Sequence, residues 1–399
     1  MQAEALRSGQ DRELHRQLLE DPDVKRVNEE IARHEAKGNL GIRRQLLNTA
    51  VRLSIRMAPQ LHQTADACRE RLGLTIPLEL YVFPSPSFNA ACVKPEAGRL
   101  FLMFSSSLLE AFSPPEIRFV MGHELGHHLF HHHDIPIGYV LRGQQRGTPK
   151  LALTLTSWSR YAEISADRAG AWCAQDMEAV AHSLFKLASG LSRGYAQFSL
   201  ADFMQQVDEM QLERAEPGQG APTEDWFLTH PFSPLRVKAL VLFDESVMTR
   251  SGGTSVENLE LGVHALMSLM EPSYLEARTD VAEAMRRLLL AGAVAVVTAN
   301  DQVAAEEVAA FNKFFGTRAF ANKLDHAKLR SELPERVEQA RVQTSLPQRM
   351  QVIRDLITIA RSDGPPPDAE RKVLLEIAHG LGISTCFIDQ SMNTSPELD

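Results

Sequence analysis

Residues 113–129 show the clearest pattern of apolar and polar positions in the chain. Ser113 is followed by Pro114, and Glu116 stands three residues after the serine, which is the spacing of a capping box with proline at the first helical position. Apolar residues then recur at helical spacing from Ile117 onward. The pattern predicts a helix that begins at Ser113 and buries one apolar face.

Before this helix the pattern changes from helical to alternating. From Leu40 to Leu74 apolar residues recur at helical spacing, and Gly73 provides a C-cap. Residues 76–104 begin with alternating apolar and polar residues and end with the apolar run Leu100–Phe104. We therefore predict a charged helical segment, residues 1–75, packed on a domain that opens with a small antiparallel sheet. A prosegment that covers a cleft is the alternative for these N-terminal helices.

After the central helix the pattern is mainly helical. Residues 177–210 predict two helices, Leu235–Phe243 predict another, and Ser251-Gly-Gly-Thr254 is a linker. Everything beyond the linker has helical spacing. The prediction is an α+β fold, mostly α, in three parts: residues 1–75, residues 76–250 and an all-helical domain at residues 254–399.

Composition and charge restrict the class of protein. With 399 residues, 44% of them hydrophobic, the chain is long enough for two or more domains with sizeable cores. The net charge of -9 argues against binding to nucleic acid or to an anionic membrane surface. No run reaches the ~18 apolar residues of a membrane span, the N-terminus lacks an apolar signal sequence, and the four cysteines are scattered. We expect a cytoplasmic protein without a membrane span.

The central helix carries candidate catalytic chemistry in the HExxH sequence His123-Glu124-Leu125-Gly126-His127. Residues four apart share one face of a helix, so His123 and His127 point to one place and can hold one zinc ion per chain. Glu124, one step around the helix, then reaches a metal-bound water as general base. Two ordinary surface histidines are the alternative, because so short a pattern also occurs by chance.

A second acidic motif strengthens the zinc interpretation. Glu163 and Asp167 stand one helical turn apart in a run that is mostly Ala, Ile and Gly. Such a composition favours a buried helix over a solvated acidic face. Glu163 is therefore the candidate third ligand, and Asp167 the candidate partner that hydrogen-bonds a ligand histidine.

These motifs resemble the HtpX and CAAX prenyl protease group, metallopeptidase family 48 of the gluzincin type. The family carries HExxH on one helix and ExxxD on a later one, as in His123–His127 and Glu163–Asp167 here. The segments around Asn89-Ala90 and Gly98–Met103, and Thr229-His230-Pro231 with Arg236 after it, are also similar to the family. The resemblance covers roughly residues 40–245 and implies a gluzincin peptidase domain.

The resemblance also implies roles for two residues outside the main motifs. His230 has three interpretations: oxyanion stabilisation, a fourth zinc ligand in a resting state, or a structural role, and the resemblance favours the two active-site interpretations. Asn89 either helps to hold the substrate carbonyl or is an ordinary turn residue. In gluzincins the strand above the zinc pairs its edge with an extended substrate.

The chain departs from the family between the two motifs. Many members are membrane-embedded, and HtpX has membrane helices in this interval. Here the interval from His128 to Arg160 is hydrophilic. We therefore expect a soluble form, which puts the membrane-bound substrates of the family in doubt for this chain.

Two further features near the motif have ordinary interpretations that we favour. Cys92 offers a thiolate that caps zinc, but a small buried cysteine is far more common. The run His131–His133 offers a second metal site, but histidines in the last turn of a helix also suit its dipole.

The C-terminal domain resembles the TerB (tellurite-resistance) domain in a weak repeat of helix, Asp-containing turn and helix with an early glutamate. Asp301, Asp363 and Glu370 occupy the acidic positions. TerB relatives are suspected of binding metal there, whereas helix caps and first-turn acids are the interpretation we favour. We expect a module for docking or sensing, with a regulatory protein as its partner.

The combined prediction is a zinc-dependent endopeptidase that hydrolyses protein or peptide substrates. Glu124 serves as general base, His123, His127 and Glu163 as ligands, and Asp167 as an orienting residue. A zinc-binding scaffold without turnover is one alternative, against which the intact Glu124 argues. The other is a tightly specific or latent regulatory protease, for which self-cleavage in the loop 213–223 would be evidence.

Overall fold

A computed structural model describes most of the chain, and its helices and strands divide into two compact units. One unit is formed chiefly by residues 1–207 and 227–256, and the other chiefly by residues 257–399. The described residues are 3–36, 41–142, 149–192, 197–213, 228–270, 274, 280–300, 303–315, 320, 325–362, 364–383 and 388.

The first unit begins with helices. A 3-10 turn at Ala3–Leu6 leads into α1 (Gly9–Glu20), which packs against α8. The helices of this unit are α1, α2 (Pro22–Ala36), α3 (Ile42–Thr49), α4 (Pro59–Leu72), α5 (Ser106–Ala111), α6 (Pro114–Leu129), α7 (Ile137–Arg142), α8 (Pro149–Ala174), α9 (Met177–Ser189), α10 (Leu200–Glu213) and α11 (Ser233–Asp244), with a 3-10 turn at His132–Asp134.

A four-stranded sheet covers one side of α6. Its strands are β1 (Val51–Leu53), β2 (Leu78–Phe83), β3 (Ala90–Glu96) and β4 (Arg99–Ser105), in the order β1-β2-β4-β3. The prediction of an antiparallel sheet is right for the β1–β2 and β3–β4 pairs and wrong for β2–β4, which is parallel. The reason is that β3 reverses the chain direction before β4, so β4 runs in the same direction as β2, beside which it lies. Strand β3 therefore lies at one edge of the described sheet, and it contacts α6.

The continuous helical pattern predicted from Leu40 to Leu74 is also interrupted. The structure has α3, then β1, then α4, which ends at Gly73 in the left-handed conformation as predicted. Val51 is 54% exposed in β1, although it belongs to the apolar set that suggested a helix. The pairing of β1 with β2 overrides the helical spacing there.

Three glycines set the distance between α6 and α8. A Cβ atom on Gly126 would lie 2.9 Å from the Cβ of Ala169, and one on Gly170 would lie 2.7 Å from the carbonyl oxygen of Phe119. At Gly122 the neighbour would be the Cβ of Cys173, also at 2.7 Å. A Cβ atom essentially never lies so close to a non-bonded neighbour, so only glycine at these positions allows α6 and α8 to approach this closely. The predicted capping box of Ser113 and Glu116 starts α6.

The second unit is helical throughout its described residues and has its own core. Its helices are α12 (Val256–Met267), α13 (Asp280–Val297), α14 (Ala305–Phe315), α15 (His326–Gln343), α16 (Leu346–Ala360) and α17 (Asp368–Gly380), with a 3-10 turn at Ser268–Met270. Buried Leu288, Phe311, Ile353 and Leu374 bring four of these helices together. The predicted fold class, α+β and mostly α, is confirmed. Asp301, Asp363, Cys386 and residues 214–223 of the predicted loop lie outside the described residues.

Candidate metal centre

Three side chains from two helices meet at one point. His123 and His127 lie one turn apart on α6, and Glu163 lies on α8. The two Nε2 atoms are 3.2 Å apart. Glu163 places Oε2 at 3.5 Å from Nε2 of His123 and Oε1 at 3.4 Å from Nε2 of His127. Within the described part of the chain, these residues form the one group of three or more potential ligands that could hold a metal ion.

The donor set fits zinc. His123 and His127 each lie near a different oxygen of Glu163, and the separations of 3.2–3.5 Å among these nitrogen and oxygen atoms are close to the edge of about 3.3 Å in a tetrahedron whose zinc–ligand bonds are ~2.0–2.1 Å long. Oε2 of Glu163 is buried and accepts no hydrogen bond from any residue that the structure describes, and its cationic neighbour is Nη2 of Arg236 at 3.3 Å. A buried carboxylate oxygen without a donor is costly unless another group binds it. Two imidazoles and a carboxylate are also a common ligand set of catalytic zinc.

Asp167 and Arg236 hold His123 in place. Nδ1 of His123 donates to Oδ1 of Asp167 at 2.9 Å, so its proton lies on Nδ1 and the Nε2 lone pair faces the other two ligands. Arg236 donates to both oxygens of Asp167, at 2.8 and 2.6 Å, and its Nη2 lies 3.3 Å from Oε2 of Glu163. Arg236 thus orients the carboxylate of Asp167, which in turn orients the imidazole of His123.

The pKa values of the two histidines differ in direction. Burial alone lowers the pKa of His123, but the hydrogen bond to Asp167 and the charges of Glu163, Asp167 and Glu124 outweigh burial and raise it. The negative potential that favours a proton on this imidazole also favours a metal cation. Burial and the neighbouring histidines hold the pKa of His127 well below its ordinary value, so His127 is a neutral imidazole with a free lone pair.

Glu124 stands next to the cluster and is held by the sheet. Its Oε2 accepts a hydrogen bond of 2.7 Å from the backbone N–H of Cys92 in β3. Burial raises the pKa of Glu124, and the charge of Glu163 adds to this, against opposing effects of His123 and the Cys92 amide. Burial also raises the pKa of Glu163, but the charges of His123 and Arg236 outweigh it and lower the value. The raised pKa thus suits Glu124 to accept a proton, whereas Glu163 stays ionised.

His127 is held by a second histidine. Its Nδ1 lies 2.8 Å from Nδ1 of His132, whose Nε2 lies 3.0 Å from Oδ2 of Asp11 in α1. Of the run His131–His133, His132 is thus the residue that points into the site. Nothing in the described residues forms a second group of three metal ligands there.

His230 lies at the open side of the cluster. Its Nε2 is 3.4 Å from Oε1 of Glu163, its Nδ1 is 2.9 Å from the hydroxyl of Thr229, and its side chain is 66% exposed. Asn89 is tied to Ser105 through backbone N–H and C=O bonds of 3.0 and 2.8 Å. No hydrogen bond or ion pair joins Asn89 to the metal cluster in the part of the chain that the structure describes.

Cys92 lies beside Glu124, but its thiol has an unfavourable environment for ionisation. Burial raises the pKa of the Cys92 thiol well above its ordinary value, and the charge of Glu124 adds to this shift. Because the thiolate is the form that binds metal, the favoured interpretation of Cys92 as an ordinary core cysteine is consistent with this environment.

Three residues of the site escaped a functional assignment from the sequence. Arg236 appeared only as a neighbour of His230-Pro231 in the family resemblance. Asp11 and His132 carry no motif, and 121 positions separate them. The one signal for His132 was the triple histidine after α6, and that signal did not show which of the three faces inward.

Comparisons with known proteins agree with this geometry. Residues 56–242 match the model of Peptidase family M48, and residues 286–392 match that of Tellurite resistance protein TerB. The chain carries an M48 peptidase domain followed by a TerB domain. The M48 match contains every candidate site residue from Asn89 to Arg236 but not Asp11.

Two relatives support the M48 assignment. The chain is 28% identical over 218 residues to Plastoglobule-localized metallopeptidase 48, chloroplastic, of Arabidopsis thaliana, an alignment that covers 51% of the chain and 62% of the relative. It is 26% identical over 229 residues to Protease HtpX homolog of Polynucleobacter necessarius subsp. necessarius (strain STIR1), covering 49% of the chain and 77% of that relative. The chain therefore spans less than two thirds of the Arabidopsis protein. No solved structure matches the chain significantly.

The predicted resemblance to M48 and TerB is confirmed by these matches. The M48 match and the two relatives support a metal-dependent protease. Among the described helices, none is both long and apolar enough to cross a membrane.

Proposed function

We propose that the protein is a zinc-dependent endopeptidase whose M48 domain hydrolyses peptide bonds of protein substrates. The observation that carries the proposal is the convergence of His123, His127 and Glu163, with neighbouring donor atoms 3.2–3.5 Å apart, beside a general-base candidate of raised pKa. Zinc is proposed over other metals because two imidazoles and one carboxylate leave a fourth position open, as in catalytic zinc sites.

Each side chain has a separate part in the proposed reaction. Zinc, when bound, lowers the pKa of a coordinated water and polarises the substrate carbonyl. Glu124 accepts the proton of the attacking water and delivers it to the leaving nitrogen. Its raised pKa suits both steps, because a carboxylate with an ordinary pKa near 4.5 is a weaker base and returns the proton less readily.

The residues around the ligands keep them in the protonation state and orientation that allow them to bind a metal. Asp167 holds the proton of His123 on Nδ1, and Arg236 keeps Asp167 ionised and oriented. His230 is proposed to steady the oxyanion, because its exposed imidazole lies within reach of Glu163 at the open side of the site. For Asn89, assistance to the substrate carbonyl rests on the family resemblance alone.

The edge strand supports a site for extended peptide. Among the strands that the structure describes, β4 is the one neighbour of β3, so the outer edge of β3 is proposed to accept an added strand. Cys92 in the same strand already bonds Glu124, which puts this edge next to the proposed base. A peptide paired with β3 therefore presents its backbone carbonyls beside the cluster.

The parts of the chain outside the cluster receive coarser proposals. We propose an N-terminal helical segment at residues 1–75, a peptidase domain at 76–250 and a TerB-like domain at 254–399 that docks a regulatory protein. A cytoplasmic location is supported by the free thiols of Cys68, Cys92 and Cys173. A zinc-binding scaffold is the second candidate function, and the raised pKa of Glu124 favours the enzyme over it.

The test compares the purified full chain with its Glu124→Gln variant. We expect about one zinc per chain in both proteins and cleavage of casein or of the chain itself by the wild type alone. The matched control is Glu178→Gln, which changes an exposed glutamate in the first turn of α9 and should cleave like the wild type. Equal zinc content without cleavage by any of the three proteins would leave the scaffold as the better hypothesis.

A further inference from the structure

Asp11 is an acidic residue buried far from the surface in the N-terminal helix α1. Its exposed fraction is 0%, and four side chains donate hydrogen bonds to its carboxylate. Arg7 donates to both oxygens at 2.9 and 3.2 Å, Trp158 at 3.0 Å, Ser165 at 2.7 Å and His132 at 3.0 Å. Burial alone raises the pKa of Asp11, but the hydrogen bonds from His132 and Arg7 and the charge of Arg7 outweigh it, so the carboxylate stays ionised.

The hydrogen bonds lead from this carboxylate to the metal ligand His127. Nδ1 of His132 lies 2.8 Å from Nδ1 of His127, and one proton is shared between these two nitrogens. If the Nε2 proton of neutral His132 is donated to Asp11, then Nδ1 of His132 is an acceptor. It can then accept only from a protonated Nδ1 of His127, which leaves the Nε2 lone pair of His127 free.

The opposite arrangement does not allow ligation. If Nδ1 of His132 carried the proton and donated it, the proton of neutral His127 would lie on Nε2. That atom faces Nε2 of His123 at 3.2 Å and Oε1 of Glu163 at 3.4 Å, where the metal would bind. The Asp11 carboxylate at Nε2 of His132 therefore favours the tautomer of His127 whose Nε2 lone pair is free to bind the metal.

The two ligand histidines are thus supported in parallel ways. Asp167 receives the Nδ1 proton of His123 directly, whereas Asp11 acts on His127 through one intervening imidazole. Trp158 and Phe130 pack around that imidazole, with ring centroids 5.8 and 5.7 Å from it, and exclude water from the relay. Carboxylate partners of this kind orient ligand imidazoles and raise their basicity.

We propose that Asp11 and His132 are positioning residues of the metal centre, which fix the tautomer and orientation of His127 and make α1 a working part of the peptidase site. The inference rests on the proposed zinc function. It extends the site beyond residues 56–242, because Asp11 lies 45 positions before the start of the M48 match.

A purely structural role is the competing explanation, since Asp11 also anchors α1 to Trp158 and Ser165 on α8. The two explanations differ in what a change at His132 does. The relay needs an acceptor at Nδ1, whereas anchoring of the helix needs only a ring that fills the space. Phenylalanine keeps the ring but has no acceptor, and asparagine keeps an acceptor but leaves space unfilled.

The experiment measures zinc affinity by competition with a chelating dye, the visible absorption spectrum of the cobalt-substituted protein, and thermal stability for full-length variants. We expect His132→Phe to raise the zinc Kd ~10–100-fold and to alter the cobalt spectrum while the protein stays folded. His132→Asn should keep more of the affinity than His132→Phe, although it packs less well. Asp11→Ala should weaken zinc binding to a similar extent. If Asp11→Ala does not fold, the zinc Kd of His132→Phe alone tests the inference.

The matched control is His15→Ala. His15 is a buried residue of the same helix, and its Nε2 bonds the carbonyl of His131 at 3.1 Å, outside the relay. This variant should lose thermal stability and keep the wild-type zinc Kd and cobalt spectrum. A wild-type Kd in His132→Phe, or an equal loss of affinity in His15→Ala, overturns the inference while the proposed function stands. A wild type that binds no zinc overturns both.

Discussion

At the scale of single residues, the site depends on charges that are buried together. Asp167 is fully buried, and its carboxylate serves His123 on one side and Arg236 on the other. Burial raises the pKa of Asp167, but the charge and hydrogen bonds of Arg236, with those of His123, outweigh it and lower the value. The arginine is therefore what allows a carboxylate to stay ionised at this depth.

Replacement of Arg236 by methionine should be strongly destabilising. The change keeps an unbranched apolar stem but leaves Asp167 as a buried charge without its main partner, which costs about 3–5 kcal/mol in comparable pairs. The free energy of unfolding in urea measures the effect, and zinc affinity should fall with it because His123 loses its fixed acceptor.

An exposed ion pair provides the comparison for Arg236. Arg16 pairs with Glu13 at 2.7 Å on the surface of α1, where both side chains are about half or more exposed. Arg16→Met should leave the free energy of unfolding almost unchanged, because exposed ion pairs contribute little to stability. Similar effects of Arg236→Met and Arg16→Met would mean that Asp167 does not depend on the arginine.

The candidate metal ligands could be predicted from the sequence because their spacing along a helix determines which side chains share a face. His123, His127, Glu163 and Asp167 each lie one turn from a partner of the same motif. Asp11 and His132 have no such local relation, since their contact depends on how α1 docks against α8. Sequence spacing cannot record a contact of this kind.

At the scale of elements, the metal cluster depends on how closely α6 approaches α8. Gly170 of α8 lies against the backbone of Phe119, one turn before His123 on α6. Gly126, inside the HExxH sequence, lies against Ala169 in the same way. Any added side chain at these positions moves the helix that carries Glu163 away from the helix that carries the histidines.

Gly170→Ala should therefore weaken both the fold and the zinc site. The new methyl group would meet the Phe119 carbonyl oxygen at 2.7 Å, and a backbone atom cannot rotate away as a side chain can. We expect a loss of about 1–3 kcal/mol in unfolding free energy and a higher zinc Kd, measured by urea unfolding and by chelator competition.

Gly138→Ala is the matched control for this change. Gly138 is a helical glycine of α7, and nothing lies within 4 Å of the position that its Cβ would occupy. Alanine there should leave zinc affinity unchanged and alter stability by no more than ~1 kcal/mol. Equal zinc Kd values for the two variants would show that the helix spacing does not set the ligand geometry.

The elements themselves were predicted with unequal success, for physical reasons. Helix α6 was predicted because its cap, proline and apolar spacing agree with its tertiary role. The three-residue strand β1 was missed because Val51 fits a helical pattern and only the pairing with β2 makes it extended. The parallel β2–β4 pair was missed because the order of strands in a sheet is not encoded in their alternation.

At the scale of the whole molecule, the described site and the TerB domain belong to different units. The candidate site residues from Asp11 to Arg236 lie in the first unit, while the second has its own buried core. The change of pattern at the four-residue linker Ser251–Thr254 predicts a domain boundary there. The sequence contained no local signal for the ligand of the TerB domain, and the acidic positions Asp301 and Asp363 lie outside the described residues.

This separation predicts two unfolding transitions with different responses to metal. A ligand stabilises only the unit that binds it, by about 4 kcal/mol at a free concentration a thousand times its Kd. In calorimetry of the full chain, removal of zinc by a chelator should lower one transition temperature and leave the other unchanged. Leu356→Ala, which removes a fully buried side chain of α16, should lower only the other transition, at a cost of about 2–5 kcal/mol. A single transition that moves with both changes would instead mean that the two units unfold together. A ligand of the TerB domain would then also stabilise the metal centre against unfolding.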